Sequence, residues 1–389
     1  MSSSLSKYIV NNINDHKIRE TDFDQTSSLY RPKEEELFFN ASAQHFRHTD
    51  SVFCCASSPV DSKIFVSGGG DDKAILWHVV DNGSIHTKTQ SRFFMLEKHT
   101  DSVAAVAFNY SGEYIATAGL DGLCCIWSSK DGKLIHALEG PEDGLEWVSW
   151  HSRGNVVIAG GPDATCWMWN AAKGRCINVY AGHSAALTCG RFSSNGKRII
   201  TGSLDSSLRI WEPRSGRSEL VSGHGFQKDA VTCLAVHPSK PIVVCGGDQG
   251  GLTICNIQAA KALATLQFKE SIESIAICGM SNTAIAGTVK GKLIIVDINQ
   301  ARVRGTWDKP HRGVITKIVP INSAQSPLVL TCSTDGTLNV WDSRSGNANA
   351  VQKQFQGHHD AILDMSVTHD GKKVMTVSDD QTVLVFDLQ

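Results

Sequence analysis

The sequence predicts an all-β fold, a closed ring of eight small sheets known as a β-propeller, and three observations predict it. A hairpin pattern recurs along the chain, as in residues 201–211, where TGSLDSSLRIW reads as strand, Gly/Ser/Asp turn and strand. The position that ends the hairpin recurs eight times. The intervals of 41 to 50 residues are close to the length of a four-stranded propeller blade.

The residue at the end of each hairpin gives the repeat count. Trp holds this position in most repeats, and Cys, Val or Phe holds it in the others. The eight anchors are Trp77, Trp127, Trp169, Trp211, Cys255, Val296, Trp341 and Phe386. A closed propeller is one folding unit, so we expect a single domain over residues 36–389. Residues 1–35 are polar and mixed in charge, and we expect a flexible N-terminal tail there.

Three more residue types recur with the anchor, and the set resembles the WD repeat. A Gly-His or similar pair lies upstream, a Ser or Thr lies in the first hairpin strand, and an Asp stands six residues before the anchor. The resemblance implies a buried hydrogen-bonded chain that ties the strands of a blade together. Its expected members are His48, Ser67, Asp71 and Trp77; His99, Thr117, Asp121 and Trp127; His183, Thr201, Asp205 and Trp211; His311, Thr331, Asp335 and Trp341; and His358, Thr376 and Asp380.

Repeats three, five and six lack part of this set, so we expect apolar packing to hold those blades together. Repeat five keeps a histidine, His224. The substitutions are Pro141 and Ala159 in repeat three, Cys245 and Gln249 in repeat five, and Phe268, Ala286 and Lys290 in repeat six. His, Ser or Thr and Asp are also the residues of a hydrolase triad. An enzyme needs one such site, whereas this chain repeats it, so we expect no catalytic residues.

The outer strand of the last blade has to come from the start of the chain. In WD propellers the strand after each Trp-Asp pair is the outer strand of the same blade, but the chain ends at Phe386-Asp387-Leu388-Gln389. The segment from Leu37 to Phe46 is its best supplier. Such pairing closes the ring and removes exposed sheet edges.

Composition and motifs favour a binding protein. The chain has 389 residues and a net charge of −2, without an apolar run long enough for a membrane span or a signal peptide. Its 12 cysteines include no C-x-x-C pair and fit buried thiols in a reducing compartment. No phosphate loop, metal-ligand spacing or aromatic-basic patch is present. We therefore expect a monomer in the cytoplasm, with the nucleus as the alternative, that uses no cofactor or metal and contacts neither membrane nor nucleic acid directly.

The loops before the inner strands carry the main functional signal. Two residues before the first core residue of these strands, six of eight positions are acidic, and the opposite loops are rich in Lys and Arg. Asp is a good turn residue, which is the simpler interpretation. Further carboxylates lie on the same rim, among them Glu142 and Asp379. Because like charges repel one another unless a partner of opposite charge compensates them, this cluster favours a site for a basic peptide.

Trp147 adds an indole that could receive an Arg side chain, with burial in the core as the alternative. The residues expected to bind a partner are Asp50, Asp101, Asp143, Glu146, Trp147, Asp229, Asp248, Glu270, Glu273 and Asp360.

Several strings are not generic WD sequence. They include HTDSVFCC with GGGDDKAILW, LEWVSW, ATCWMW, SIESIA followed by INQARVR, and DDQTVLVFDL. Together they resemble the family of the angio-associated migratory cell protein and its fungal counterpart, a dedicated chaperone of large-subunit ribosomal protein ten (uL-sixteen family). The resemblance implies an eight-bladed propeller whose acidic face captures the basic N-terminal segment of that newly made ribosomal protein for delivery to the pre-60S particle. Those relatives carry a long acidic N-terminal extension, whereas the tail here is short and mixed in charge.

A second hypothesis is a substrate receptor of a cullin-type ubiquitin ligase. Trp341-Asp342-Ser343-Arg344 matches the W-D-x-R pattern used for adaptor docking. Asp and Arg are common after the repeat Trp, so the pattern is weak. A general signalling or migration scaffold is the remaining alternative.

Overall fold

The computed structural model describes residues 41–45, 48–79, 92–222, 226, 228–278, 282–308, 310–321, 328–343 and 351–388. These residues form eight separate four-stranded antiparallel sheets, the blades of a propeller, and the predicted fold class is confirmed. The expected tail at residues 1–35, the segments 37–40 and 46, and His224 lie outside the described residues.

Each blade takes four strands, numbered in chain order from its inner to its outer strand. Blade one contains β2 (Val52–Ser57), β3 (Ile64–Gly69), β4 (Lys73–His78) and β5 (Arg92–Glu97). Blade two contains β6 (Val103–Phe108), β7 (Tyr114–Gly119), β8 (Cys124–Ser128) and β9 (Leu134–Leu138). Blade three contains β10 (Trp147–Trp150), β11 (Val156–Gly160), β12 (Thr165–Asn170) and β13 (Arg175–Ala181). Blade four contains β14 (Leu187–Phe192), β15 (Ile199–Ser203), β16 (Leu208–Trp211) and β17 (Ser218–Leu220).

The second half of the ring follows the same plan. Blade five contains β18 (Val231–Val236), β19 (Ile242–Gly247), β20 (Gly251–Asn256) and β21 (Lys261–Gln267). Blade six contains β22 (Ile272–Cys278), β23 (Thr283–Thr288), β24 (Leu293–Asp297) and β25 (Arg302–Trp307). Blade seven contains β26 (Ile315–Pro320), β27 (Leu328–Ser333), β28 (Leu338–Asp342) and β29 (Val351–Phe355). Blade eight contains β30 (Ile362–Val367), β31 (Lys373–Ser378), β32 (Val383–Asp387) and, as its outer strand, β1 (Ala41–His45).

The ring closes between the start and the end of the chain, which confirms the predicted closure. β1 pairs antiparallel with β32, and Ala41 stands opposite Phe386 and His45 opposite Val383. Since the first strand along the chain completes the last blade, the edge of β32 is covered.

The hydrophobic core lies between neighbouring blades. Strand side chains alternate between the two faces of a sheet, so each blade packs one face on each neighbour. One such cluster joins Ile200 and Leu208 of blade four to Val231 and Val243 of blade five. The inner strands contact one another around the whole ring and line a central channel. Loops at the ends of the strands are therefore held on a rigid support.

Hydroxyl groups on the inner strands link successive blades. Thr188 Oγ1 donates to the Val231 carbonyl at 2.6 Å, and Thr316 Oγ1 donates to the Ile362 carbonyl at 2.8 Å. Between blades eight and one, Ser57 Oγ donates to the Val367 carbonyl at 2.6 Å, and a carboxylate adds a second link, because Asp364 Oδ2 accepts the Cys55 N–H at 3.0 Å. Each contact satisfies a polar group near the channel and fixes the blade spacing.

Candidate functional site

The upper face of the propeller is defined by two sets of loops. One set connects the outer strand of a blade to the inner strand of the next, and the other joins the second and third strands of a blade. The predicted histidines lie in the first set and the predicted Asp residues in the second. Their contacts hold the two sets together, so the loops of this face have fixed positions.

Blade four shows the contacts of one network. His183 Nδ1 lies 2.9 Å from Asp205 Oδ2, and its Nε2 lies 2.9 Å from Thr201 Oγ1. The same Thr201 oxygen accepts the Trp211 indole N–H at 2.8 Å. With the imidazole proton on Nδ1, every donor in this chain has an acceptor. Asp205 also accepts the Ser184 backbone N–H at 2.9 Å, which fixes the loop above the blade.

The same arrangement recurs in four further blades. Blade eight lacks the indole because Phe386 takes the place of Trp. In these four blades, blade eight included, the histidine–carboxylate distances are 3.0 Å for His48–Asp71, 3.0 Å for His99–Asp121, 3.2 Å for His311–Asp335 and 3.1 Å for His358–Asp380. The hydroxyl partners of these histidines are Ser67, Thr117, Thr331 and Thr376, and the indoles of Trp77, Trp127 and Trp341 donate to the first three.

These carboxylates stay charged well into acid. Burial by itself raises the pKa of Asp205, but hydrogen bonds from Ser207, the Ser184 amide and His183 outweigh it and lower the pKa to about 2. The same balance leaves the pKa of Asp335 and of Asp380 below its usual range. The network recurs in five blades, and no pocket among the described residues is common to all of its copies. We therefore interpret these networks as structural contacts that hold each blade together.

Asp205→Ala should destabilise the fold by about 1–3 kcal/mol, because His183 and the Ser184 amide lose a largely buried partner. Chemical denaturation measures the change. The matched control is Gln249→Ala, at the equivalent turn of blade five, where the side chain is exposed and the expected change is below about 0.5 kcal/mol. Equal losses in the two variants would contradict the network's role.

Asp229 has a structural contact that the rim pattern did not indicate. Its side chain is 9% exposed, and Oδ2 accepts the Gly251 N–H at 2.8 Å across the next turn. In blade five, where Gln249 replaces the turn carboxylate, Asp229 fixes the turn from the other side. Asp229 therefore has a structural role in this turn, and its partner-binding role stays a prediction.

The prediction that Trp147 presents an indole on the rim is wrong. The side chain is 8% exposed and packs between blades three and four, where Nε1 donates to the Leu187 carbonyl at 3.1 Å. Gly190 on the neighbouring inner strand makes room for it, because a Cβ there would lie 2.1 Å from the indole. Trp150, three residues on, donates instead to the Ala107 carbonyl of blade two at 3.0 Å.

Four of the predicted rim carboxylates are exposed at equivalent loop positions. Asp50, Asp101, Asp143 and Asp360 each accept the backbone N–H of the following residue through Oδ1, at 2.7 to 2.9 Å. This contact is the turn role that the simpler interpretation gave them. This hydrogen bond occupies one oxygen of each carboxylate and fixes the Asp side chain, so the negative charge of the carboxylate stays on the surface.

Asp72 adds a half-buried carboxylate to this surface, and the rim pattern missed it. It follows the turn carboxylate Asp71 with a left-handed φ of 63°, a conformation that Asp tolerates better than most residues. Burial and then the neighbouring carboxylates, Asp101 foremost and Asp50 among the others, raise the pKa of Asp72. The upper face of blades one and two therefore has a concentrated negative potential. The doubled acid in GGGDDK was the available signal.

A second acidic group lies at the channel mouth near blades five and six. Burial raises the pKa of Glu273 against a hydrogen bond from Ser271, and Asp248 adds to the rise. Asp248 Oδ1 is buried with no hydrogen-bond partner among the described residues. Glu270 accepts the Thr288 hydroxyl at 2.8 Å, and Glu146 of blade three stands at the position equivalent to Glu273.

The upper face is less uniformly acidic than the sequence pattern predicted. Exposed cations lie in the same two sets of loops: Lys98, Lys228, Lys269, Lys290 and Arg312. Four of the five belong to the loops of blades five to seven. The acidic surface is thus concentrated over blades eight, one, two and three, and a basic peptide would be directed there.

The W-D-x-R pattern receives no support from the described residues. Trp341 is fully buried in the network of blade seven, and Arg344 lies outside the described residues. The cullin hypothesis and the signalling-scaffold hypothesis stay predictions.

The ring of eight blades, tied by repeated His–Asp–Ser/Thr–Trp networks, defines a WD-repeat propeller. The chain belongs to the WD domain, G-beta repeat family, whose model matches residues 41–78, 90–128, 132–170, 174–212, 217–254, 305–342 and 349–387. The unmatched interval contains blade six, which has Phe268, Ala286, Lys290 and Val296 where the complete repeats have His, Ser or Thr, Asp and Trp.

Curated relatives share most of this length. The human angio-associated migratory cell protein is 28% identical over 358 residues, which cover 88% of this chain and 79% of that protein. The dog protein matches at the same identity over 88% of this chain and 78% of its own length. An uncharacterised WD repeat-containing protein of Schizosaccharomyces pombe is 32% identical over 149 residues, 38% of this chain and 36% of that protein.

Solved structures share the fold. Sqt1 of Chaetomium thermophilum superposes with a TM-score of 0.81 at 23% identity, over 90% of this chain and 98% of that one. The same protein bound to the N-terminus of ribosomal protein L10 gives a TM-score of 0.79 at 22% identity, over 90% and 99%. Saccharomyces cerevisiae Sqt1 gives 0.78 at 22% identity, over the same shares.

No helix capable of spanning a membrane occurs in the part of the chain that the structure describes.

Proposed function

We propose that this protein is a non-enzymatic chaperone whose acidic upper face captures the basic N-terminal segment of a newly made large-subunit ribosomal protein, ribosomal protein ten, for assembly into the pre-60S particle. The observation that carries the proposal is the cluster of carboxylates over blades eight, one and two, of which Asp50, Asp101 and Asp360 are exposed and Asp72 is half-buried. Asp50, Asp72, Asp101 and Asp360 make no ion pair with a described residue. A chain rich in Arg and Lys is the partner that such a surface fits.

The partner's identity rests on the relatives. The Chaetomium thermophilum structure with the same fold is bound to the N-terminus of ribosomal protein L10. The curated similarity to the angio-associated migratory cell protein extends over most of the chain, in line with the resemblance found in the sequence. Both support a ribosomal-protein segment as the peptide.

Rigid loops suit this mode of binding. The four carboxylates sit on loops fixed by backbone hydrogen bonds and by the histidine networks, so little order has to be gained on binding. Each exposed ion pair contributes only about 0.2–1 kcal/mol. Affinity therefore has to come from several pairs at once, and association should be fast and sensitive to salt.

Replacing Asp50, Asp72, Asp101 and Asp360 together by Asn should weaken binding of the ribosomal-protein N-terminal peptide by roughly 10- to 100-fold, as the sum of several weak pairs. An Asn oxygen can still accept the loop N–H, so the turns are kept. Fluorescence anisotropy with the labelled peptide measures affinity at about 50 and about 500 mM salt.

The matched control removes four carboxylates from the opposite face. Asp61, Asp131 and Asp370 lie in loops there and Asp297 ends β24, and the joint replacement of the four by Asn changes the net charge by the same amount. We expect unchanged affinity. If both quadruple variants bound like the wild type, or if salt had no effect, the acidic-face mechanism would be rejected.

A further inference from the structure

The lower mouth of the central channel, opposite the acidic face, contains a cavity of about 440 Å³. Inner strands of six blades contribute to it, and both charged and apolar side chains line it. The residues that matter here are Pro59, Tyr110, Trp150, Arg191, Lys317 and Val319. Nothing in the proposed function uses this end of the channel.

Arg191 is unusual for its position. It is the fourth residue after the first core residue of its inner strand, and the other seven blades have small or aliphatic residues there: Ala56, Ala107, Ser149, Ala235, Ala276, Val319 and Ser366. One guanidinium thus projects into a channel otherwise lined at this level by short uncharged side chains.

The charge of Arg191 is not satisfied within the described residues. Its guanidinium makes no hydrogen bond or ion pair with any of them, although its side chain has surface open to the channel. The second cation of the cavity is already paired, because Lys317 Nζ lies 2.8 Å from Asp364 Oδ1. The Arg191 side chain is exposed toward the channel, so its guanidinium is free to pair with an anion that enters the mouth.

Apolar surface surrounds this cation. Tyr110 is 49% exposed, and Pro59 of the neighbouring blade's loop lines the cavity with it. The indole of Trp150 is fixed by its hydrogen bond to Ala107, so it forms a rigid wall. An inorganic anion would leave these side chains in contact with water, whereas a peptide could cover them.

We propose that the lower mouth binds a peptide that carries a carboxylate beside an apolar side chain. The carboxylate pairs with the Arg191 guanidinium, whose planar donors fit two carboxylate oxygens. The apolar side chain covers Tyr110 and Pro59. The two ends of the propeller then select peptides of opposite charge, and this second site does not depend on the first.

The test uses the full chain and a synthetic peptide, Phe-Glu-Phe, blocked at both ends. We expect binding with a Kd of about 1 mM or tighter by titration calorimetry. Arg191→Gln should weaken it at least about tenfold, and replacing Glu by Gln in the peptide should do the same. Arg191→Lys should retain part of the affinity. A Phe-Phe peptide with a free C-terminal carboxylate distinguishes a terminal from a side-chain carboxylate as the ligand.

Two controls keep the outcome clear. The quadruple Asn variant of the upper face should bind Phe-Glu-Phe like the wild type, and the melting temperature of Arg191→Gln shows whether the fold is kept. Failure of the wild type to bind either peptide would overturn the proposal. Affinity unchanged by Arg191→Gln in a folded protein, or equal binding of inorganic phosphate, would overturn it as well.

Discussion

A chain shortened by residues 1–46 is expected to aggregate or to melt about 10 °C or more below the full chain. The deletion removes β1, the only partner of β32 on its outer side, and with it several backbone hydrogen bonds worth about 1 kcal/mol each. It also exposes the edge of β32, whose residues Val383–Phe386 are fully buried apolar side chains. An open edge of this kind is a template for pairing with other molecules.

The control is deletion of residues 1–30, which leaves β1 in place. Its melting temperature should stay within a few degrees of the full chain by differential scanning calorimetry, and light scattering should detect no aggregate. If the two truncated proteins melted together, β1 would have no part in closure.

The architecture was predictable because its signals repeat. A periodic hairpin ending at Trp77, Trp127 and the equivalent anchors fixes the number of blades, and the pairing of β1 with β32 matches the predicted closure. The strands themselves follow from the alternation of apolar and polar residues along the sequence. Even the degenerate blade six was countable, because Val296 falls at the expected interval although no network residue surrounds it.

The site was harder to predict, since burial of a single side chain depends on its neighbours in space. Whether Trp147 lies on the rim or in the core is decided by Gly190, 43 residues away on the next inner strand, which leaves room for the indole. Asp229 could be assigned to the turn of blade five only with Gly251 placed beside it. Sequence periodicity defines loops, but it does not say which loop side chains face each other.

Charge on the upper face was overlooked for a related reason. The predicted rim combines one offset before each inner strand, which gives Asp50 and Asp101, with Asp248 and Asp379 from the turns between second and third strands, but not every charge of those turns. Asp72 and Lys290 belong to the other set of loops, the turns between second and third strands. The contact of His48 with Asp71 brings both sets to the same surface, so the electrostatic field of the face depends on both.

Asp364 is expected to be the most sensitive single residue of the ring. It lies on the inner strand of blade eight, where Oδ2 accepts the Cys55 N–H of blade one and Oδ1 lies 2.8 Å from Lys317 Nζ of blade seven. One carboxylate therefore joins three blades at the closure point. Asp364 is 8% exposed, and its charge is the largest cause of the raised pKa of Lys317.

Asp364→Ala should destabilise the protein by about 2–4 kcal/mol, because the Cys55 N–H and the Lys317 ammonium both lose a buried partner. This loss of stability lies toward the lower end of the range for broken buried ion pairs, because the Lys317 side chain is 40% exposed within the channel. Urea denaturation gives the change in the free energy of unfolding.

The double variant Asp364→Ala with Lys317→Met separates the two lost contacts. Removing the unpaired ammonium should recover at least about 1 kcal/mol relative to Asp364→Ala alone, whereas Lys317→Met by itself should destabilise because it leaves the carboxylate without its cation. Strict additivity of the two single effects would show that the ion pair contributes nothing to closure. The remaining loss in the double variant then measures the hydrogen bond from blade one.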